Sequence, residues 1–107
     1  MSGSGERSMT FQAKPPQVFS ALQEAARRTG FRYLAGDAST GTAMFTSGKY
    51  LLMVGEKVNA QWEQVGPGTV QVTLSSAKFG VAGWSGRRGS SVDRLSDELS
   101  VLLPHAG

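Results

Sequence analysis

The sequence contains no cysteine and only one histidine, His105, among its 107 residues. Without cysteine the chain forms no disulfide, binds no metal through thiolates and has no thiol nucleophile. No apolar run approaches the ~18 residues that a membrane-spanning helix requires, and residues 1–7 lack the apolar stretch of a signal peptide. We therefore expect a soluble, cytoplasmic protein that uses no cofactor.

Charged residues are also few, at 18% of the chain, with 11 Lys plus Arg against 8 Asp plus Glu. The hydrophobic fraction of 39% is too high for intrinsic disorder, and the length suits a single domain. The composition predicts a disordered Gly/Ser-rich leader over residues 1–7, one domain over residues 8–103 and a C-terminal tail over residues 104–107. Because chain termini are usually disordered, His105 is expected to be frayed.

Hydrophobic periodicity predicts two helices and about five strands. Apolar residues recur every three to four positions over residues 16–29 and 92–102, which is typical of amphipathic helices. Gly30 suits the left-handed conformation after a helix, and Ser90 or Ser91 suits an N-cap. Apolar and polar residues alternate, as in half-buried strands, over residues 8–13, 58–62 and 70–74, and a period of two also extends over residues 31–35. Residues 42–46 are rich in residues that favour strands, and they follow a turn as the second strand of a hairpin.

These elements follow one another in the order β-α-β-β-β-β-α. We therefore predict a two-layer α+β fold, in which two helices cover one face of an antiparallel sheet of about five strands and the other face is polar. Residues 50–54 are apolar throughout, as in a strand that is covered on both faces or that meets another chain. Gly55 after them is expected to mark a bulge or bend.

The same element order resembles one half of the TATA-box-binding-protein fold and a trimmed helix-grip domain of the plant-allergen type. The placement of glycine in residues 46–48, at Gly55, in residues 66–68 and in residues 83–87 is also similar to that in small bacterial domains of unknown function. The resemblance spans about residues 8–103 and implies a fold. It carries over no functional residue, and the chain has no counterpart of the phenylalanine pairs that the TATA-binding family inserts into the minor groove.

Residues suited to catalysis are scarce. His105 is the only imidazole, and no base accompanies the serines. Asp93 and Asp97 lie one turn apart on the second predicted helix and could hold a hard cation, although a solvated helix face is the simpler interpretation. We therefore predict that the chain is not an enzyme, with no catalytic residue and no metal site.

The segment before the second predicted helix is rich in glycine and contains basic residues. No Asp or Glu occurs between Gln64 and Val92. Phosphate contacts from arginine and lysine, with stacking on aromatic rings, would favour an anion or a nucleic acid there. The candidate anion- or nucleic-acid-binding residues are Lys78, Phe79, Trp84, Arg87, Arg88 and Ser90. A flexible connection with solvated arginines is the alternative interpretation.

A second candidate surface is apolar. Its residues are Met44, Tyr50, Leu52, Met53 and Trp62, and they would line a cavity or a contact with another chain. Filling of the core is the alternative. We predict a non-enzymatic binding or interaction module of unknown ligand, acting through the basic Gly-rich loop and an apolar strand or cavity. The alternative is a nucleic-acid-binding domain, and the other possible partners are another protein or a second copy of the chain.

Overall fold

The computed structural model describes residues 6–47, 55–79 and 90–106 of the chain. They form one antiparallel sheet and two helices in the order β-α-β-β-β-β-α, which confirms the predicted α+β fold. The elements are β1 (Glu6–Gln12), α1 (Pro15–Thr29), β2 (Phe31–Asp37), β3 (Thr42–Ser47), β4 (Gly55–Gly66), β5 (Thr69–Phe79) and α2 (Ser90–Leu102). The predicted apolar strand over residues 50–54 lies outside the described residues. None of the helices described is both long and apolar enough to cross a membrane.

The five strands lie in the order β1-β5-β4-β3-β2, so that β1 and β2 are the two edges of the sheet. Strands β2 to β5 form a meander, and β1 pairs with the far side of β5. The ladder between β4 and β5 is regular from Gly55 to Gln64, and its register shifts at Val65. A second shift, at Leu34, interrupts the ladder between β2 and β3.

The core lies between the sheet and the two helices. Alternate residues of the strands point toward the helices, as the period of two predicts, and removal of each large side chain from water contributes about 1.5–3 kcal/mol. The largest fully buried side chains are Phe11, Phe45, Leu22, Leu74, Leu95, Leu99, Val18, Val58, Val70, Val72 and Val92.

Helix α1 has a defined start and end. The two prolines of its first turn need no hydrogen-bond acceptor there, and the amide of Lys14 donates to Oε1 of Gln17 at 2.8 Å. At the other end, Gly30 adopts a left-handed φ of 84°, and its N–H points to the carbonyls of Ala26 and Arg27. These caps explain why sequence periodicity located the helix to within one residue.

The C-terminal residues are ordered along β1, so the expectation that His105 is frayed is wrong. The amide of Gln12 donates to the carbonyl of Pro104 at 2.8 Å, and that of Ala106 donates to the carbonyl of Thr10 at 2.9 Å. The ring of His105 lies 4.8 Å from that of Phe11. The reason is physical: an edge strand has unpaired backbone groups, and the chain after Pro104 supplies partners for them.

Candidate functional site

The face of the sheet that is turned away from the helices is polar, and we call it the open face. Its residues alternate along each strand with the buried core residues. None of the described elements covers it, yet most of its side chains are half-buried because their neighbours on adjacent strands shield them. The hydroxyl and amide residues of the open face are Ser8, Thr10, Thr42, Thr46, Asn59, Gln61, Gln71, Thr73 and Ser75.

The register arranges these residues in rows that run across the strands. In the central row, Thr42 of β3 is opposite Gln61 of β4, Gln61 is opposite Thr73 of β5, and Thr73 is opposite Ser8 of β1. The hydroxyls of Ser8 and Thr73 lie 3.1 Å apart, within hydrogen-bond distance. Four uncharged groups that donate and accept hydrogen bonds thus follow one line across the sheet.

A second row lies beside the first. Met44 of β3 is opposite Asn59 of β4, Asn59 is opposite Ser75 of β5, and Ser75 is opposite Glu6 of β1. This row adds one apolar side chain and one carboxylate to the hydroxyls and amides of the central row.

The two rows line a groove on the open face. Its larger part has a volume of about 460 Å³ and extends from Glu6 to Ala35. The smaller part, of about 360 Å³, extends from Thr40 to Gln71. Both parts share Thr42, Gln61 and Thr73, so the groove is continuous across the central row.

Two glycines fix the β3 side of the groove. Gly41 has a left-handed φ of 73°, and a Cβ there would overlap the carbonyl oxygen of Trp62. The amide of Trp62 donates to the carbonyl of Gly41 at 2.8 Å, which ties the β2–β3 turn to β4. At Gly36 a Cβ would lie only 2.9 Å from the carbonyl oxygen of Thr42. Both close approaches require glycine and hold Thr42 beside Gln61.

Asp37, at the end of β2, holds the β2–β3 turn from its other side. The amide and the hydroxyl of Ser39 donate to Oδ1 of Asp37 at 3.0 and 2.7 Å. These hydrogen bonds stabilise the ionised carboxylate and lower the pKa of Asp37 below its ordinary value. The turn therefore carries a negative charge at neutral pH.

Charges surround the groove unevenly. Arg32 of β2 and Lys57 of β4 are both opposite Thr46, so the row nearest Ser47 carries basic residues. The acidic Asp37 and Glu63 lie toward the opposite end of the strands. Asp37 is opposite Thr42, so a carboxylate ends the central row at β2, beyond its four uncharged residues.

Of the five apolar residues suggested by the sequence, the structure describes two. Met44 is half-buried in the groove. The Trp62 side chain is buried on the helix side, where its ring stacks on that of Phe19 with centroids 5.5 Å apart. Met44 and Trp62 therefore lie on opposite faces and form no common apolar surface. The other three, Tyr50, Leu52 and Met53, lie outside the described residues.

The structure describes three of the six predicted anion-binding residues. Lys78 and Phe79 end β5, opposite Glu56 and Gly55, and Ser90 begins α2. Trp84, Arg87 and Arg88 lie outside the described residues, so a basic site that includes them stays a prediction.

The paired carboxylates of α2 face an arginine. Nη1 of Arg7 lies 3.2 Å from Oδ1 of Asp93 and 4.0 Å from Oδ1 of Asp97. This guanidinium occupies the position between the two carboxylates that a cation would need. Among the residues that the structure describes, no group of three or more His, Asp or Glu is placed to hold a metal ion.

Sequence reasoning did not identify the groove residues as a site. The polar positions of each alternating strand indicated that one face is polar, which is the available signal. Which polar residues share a row depends on the register between strands, and residue spacing within one strand does not contain that information.

No protein-family model matches the chain, and a comparison with curated proteins finds no match. Function is therefore argued from the site itself.

Proposed function

We propose that the chain is a non-enzymatic binding module that holds a neutral, chain-like polar ligand, such as an oligosaccharide, in the groove of the open face. The observation that carries the proposal is the continuous line of uncharged hydrogen-bonding groups formed by Ser8, Thr42, Gln61 and Thr73. Each hydroxyl or amide both donates and accepts, which matches a ligand whose own groups do the same.

The chemistry of these groups favours binding over catalysis. Hydroxyls and amides do not exchange protons near neutral pH without an adjacent base, so the central row is suited to positioning. The two carboxylates that line the groove, Glu6 and Glu63, belong to different parts of it. Met44 in the second row adds an apolar contact for the CH groups of a ligand.

The test is a titration of ¹⁵N-labelled protein with a neutral hexasaccharide such as cellohexaose, followed by amide ¹H–¹⁵N spectra. We expect shifts at residues of the central row and little dependence on salt, because a neutral ligand releases few counterions. Gln61→Ala should weaken binding about 3- to 10-fold, as expected for one or two lost hydrogen bonds. Gln23→Ala, the same change on the exposed side of α1, is the matched control.

A nucleic acid is the second candidate ligand. It is favoured by the basic row of Arg32 and Lys57. This row lies near the end of β5, and Arg87 and Arg88 follow β5 in the sequence. Phosphates would contact these cations while bases lie on the open face. Affinity would then fall steeply with salt, and Arg32→Ala would lower the slope of log affinity against log salt by about one.

One experiment separates the two candidates. A short single-stranded DNA is titrated at low and at physiological salt in place of the hexasaccharide. Shifts that appear only with DNA and fade with salt would support the nucleic-acid function and contradict the neutral-ligand proposal. If neither probe shifts an open-face amide at millimolar concentration, the groove proposal is wrong for both classes.

A further inference from the structure

Strand β2 forms an edge of the sheet that no other described element covers. Within the described residues, β2 pairs on one side with β3 and on the other side with nothing. All of its residues after Phe31 are exposed. Tyr33 and Leu34, which are 44% and 51% exposed, are neighbours on this edge. An exposed edge of this kind has unpaired backbone groups that accept a further strand.

Charge on β2 is arranged symmetrically. Arg32 is near its start and Asp37 is its last residue, and no described acidic residue forms an ion pair with Arg32. Because the register shift at Leu34 makes that residue the extra one, the ladder positions of β2 that follow the buried Phe31 are Arg32, Tyr33, Ala35, Gly36 and Asp37. Ala35 is the middle one.

We propose that β2 pairs with β2 of a second copy of this chain, antiparallel and about a two-fold axis that passes beside Ala35. In this register Arg32 of each copy is opposite Asp37 of the other, which gives two ion pairs. Alternation is also preserved, because the residues placed opposite each other belong to the same face of their sheets.

The register also places Tyr33 of each copy opposite Gly36 of the other. Within one chain the hydroxyl of Tyr33 lies 2.9 Å from where a Cβ of Gly36 would be, so each Tyr33 already covers its own Gly36. The paired strand would bury part of the Tyr33 side chain that is still exposed. Self-complementarity of this kind is what a two-fold interface requires, because each element of the surface must match its own symmetry mate.

Pairing would join two five-stranded sheets into one. Ala35 and Gly36 line the larger part of the groove at its β2 side. The two grooves would therefore meet at the two-fold axis on one continuous open face. The inference concerns self-association, and it holds or fails independently of the ligand proposed above.

The first test is mass as a function of concentration, measured by sedimentation velocity on the full chain. We expect a mass that rises from 11.3 kDa toward twice that value. Arg32→Asp places two carboxylates opposite each other and should raise the dimer dissociation constant at least tenfold. Lys14→Asp is the matched control, since it makes the same charge change at an N-cap where Asp is favourable.

The second test fixes the register. The chain has no cysteine, so Ala35→Cys introduces the only thiol. Residues opposite each other in antiparallel strands have Cα atoms roughly 4.5–5.5 Å apart, which is within the range of a disulfide. Oxidation should therefore convert Ala35→Cys into a covalent dimer. Gln23→Cys on the exposed side of α1 should form no covalent dimer under the same conditions.

Three results would overturn the inference. The first is a molecular mass that stays that of the monomer up to a protein concentration of about 1 mM. A Kd of 1 mM corresponds to a binding free energy of about −4.1 kcal/mol. The second is a dimer that Arg32→Asp leaves intact. The third is a dimer in which Ala35→Cys forms no disulfide, which would place the interface elsewhere, for instance on the apolar residues 50–54. Circular dichroism of each variant checks that it is folded.

Discussion

The two edge strands of the sheet differ in whether the backbone groups on their outer sides form hydrogen bonds. Along β1, the amides of Gln12 and Ala106 form hydrogen bonds with the carbonyls of Pro104 and Thr10, so the last residues of the chain act as a short sixth strand. Along β2, none of the described elements forms such bonds, and the strand is irregular at Leu34. Among the described residues, one edge is paired by the chain itself and the other has no partner strand.

The difference extends into the core. Strand β1 contributes Phe11, which is fully buried, and Met9, which is nearly so. Of the residues of β2, only Phe31 is buried, and its ring lies under the guanidinium of Arg94. The edge that the chain itself pairs is therefore also the edge that is fixed by packing.

The largest difference in the free energy of unfolding is expected between two truncations of an aromatic side chain to alanine, one on each edge strand. Phe11→Ala removes a fully buried ring and should lower the free energy of unfolding by about 3–5 kcal/mol. Tyr33→Ala removes a ring that is 44% exposed and contacts Phe19 and Phe45 at its edge, and it should cost about 1 kcal/mol. Urea unfolding measures both.

These measurements are made at low micromolar protein, which limits any association through β2. Val101→Ala, at a residue that is 72% exposed on α2, is the control for a truncation without burial. Equal losses for Phe11→Ala and Tyr33→Ala would show that the two edges are packed alike and would contradict the contrast.

The second prediction removes the closure of β1. A chain that ends at Leu103 loses two backbone hydrogen bonds and the contact of His105 with Phe11, and it should be about 2–4 kcal/mol less stable. Amide hydrogen exchange of residues 6–12 should accelerate, while that of β3 and β4 changes little. The free edge of β1 should also increase aggregation.

His105→Ala in the full chain separates the two contributions. It removes the ring, including the 2.8 Å contact of its Nε2 with the hydroxyl of Ser100, but keeps the backbone bonds. If the shortened chain and His105→Ala are destabilised to the same degree, the backbone bonds along β1 contribute nothing.

The smallest effect on the free energy of unfolding is expected for the ion pairs near the end of α1, the helix that precedes β2. Glu24 accepts hydrogen bonds from Arg27 and Arg28, and these hold its pKa at about 2, down from 4.5. Arg28 also pairs with Glu98 at 3.0 Å, which links α1 to α2. Because the folded state binds the proton of Glu24 more weakly than the unfolded state, the stabilisation is present above pH 4.5 and is lost as the pH falls toward 2.

Glu24→Gln should therefore reduce stability slightly at pH 7 and leave it unchanged near pH 2, as followed by urea unfolding at both values. Exposure and salt screening keep the effect small. Glu63→Gln, an exposed change on β4, is the control. If Glu24→Gln lowers the free energy of unfolding equally at both pH values, the ion pairs of Glu24 do not contribute to that loss.

Much of this fold was predictable from sequence because its signals are local. A period of two predicted the strands, and the residues from Pro15 to Gly30 predicted the bounds of α1 to within one residue. The rows of the groove were not predictable, since Gln61 meets Thr42 and Thr73 only through the register of three strands. Trp62 was placed with Met44 for a similar reason. Their sequence spacing of 18 residues does not say which face of two different strands each occupies.

The ordered chain end was missed for a different reason. No hydrophobic pattern marks residues 104–106, and they are held mainly by backbone hydrogen bonds, which almost any residue can make. A sequence rule that treats termini as disordered fails where an edge strand happens to lie within reach of the terminus.

The position of β1 in the sheet has a consequence for how the protein is made. Strand β1 precedes the other strands of the sheet in the chain, but its neighbour β5 comes much later, since Ser8 and Thr73 are separated by 65 residues. Strands β2 to β4 can pair before β1 does, because contacts between residues that are near in sequence form faster than contacts between distant ones. Pulse-labelled hydrogen exchange during refolding would show β1 protected last. On the ribosome, the first strand to emerge would thus be the last to join the sheet.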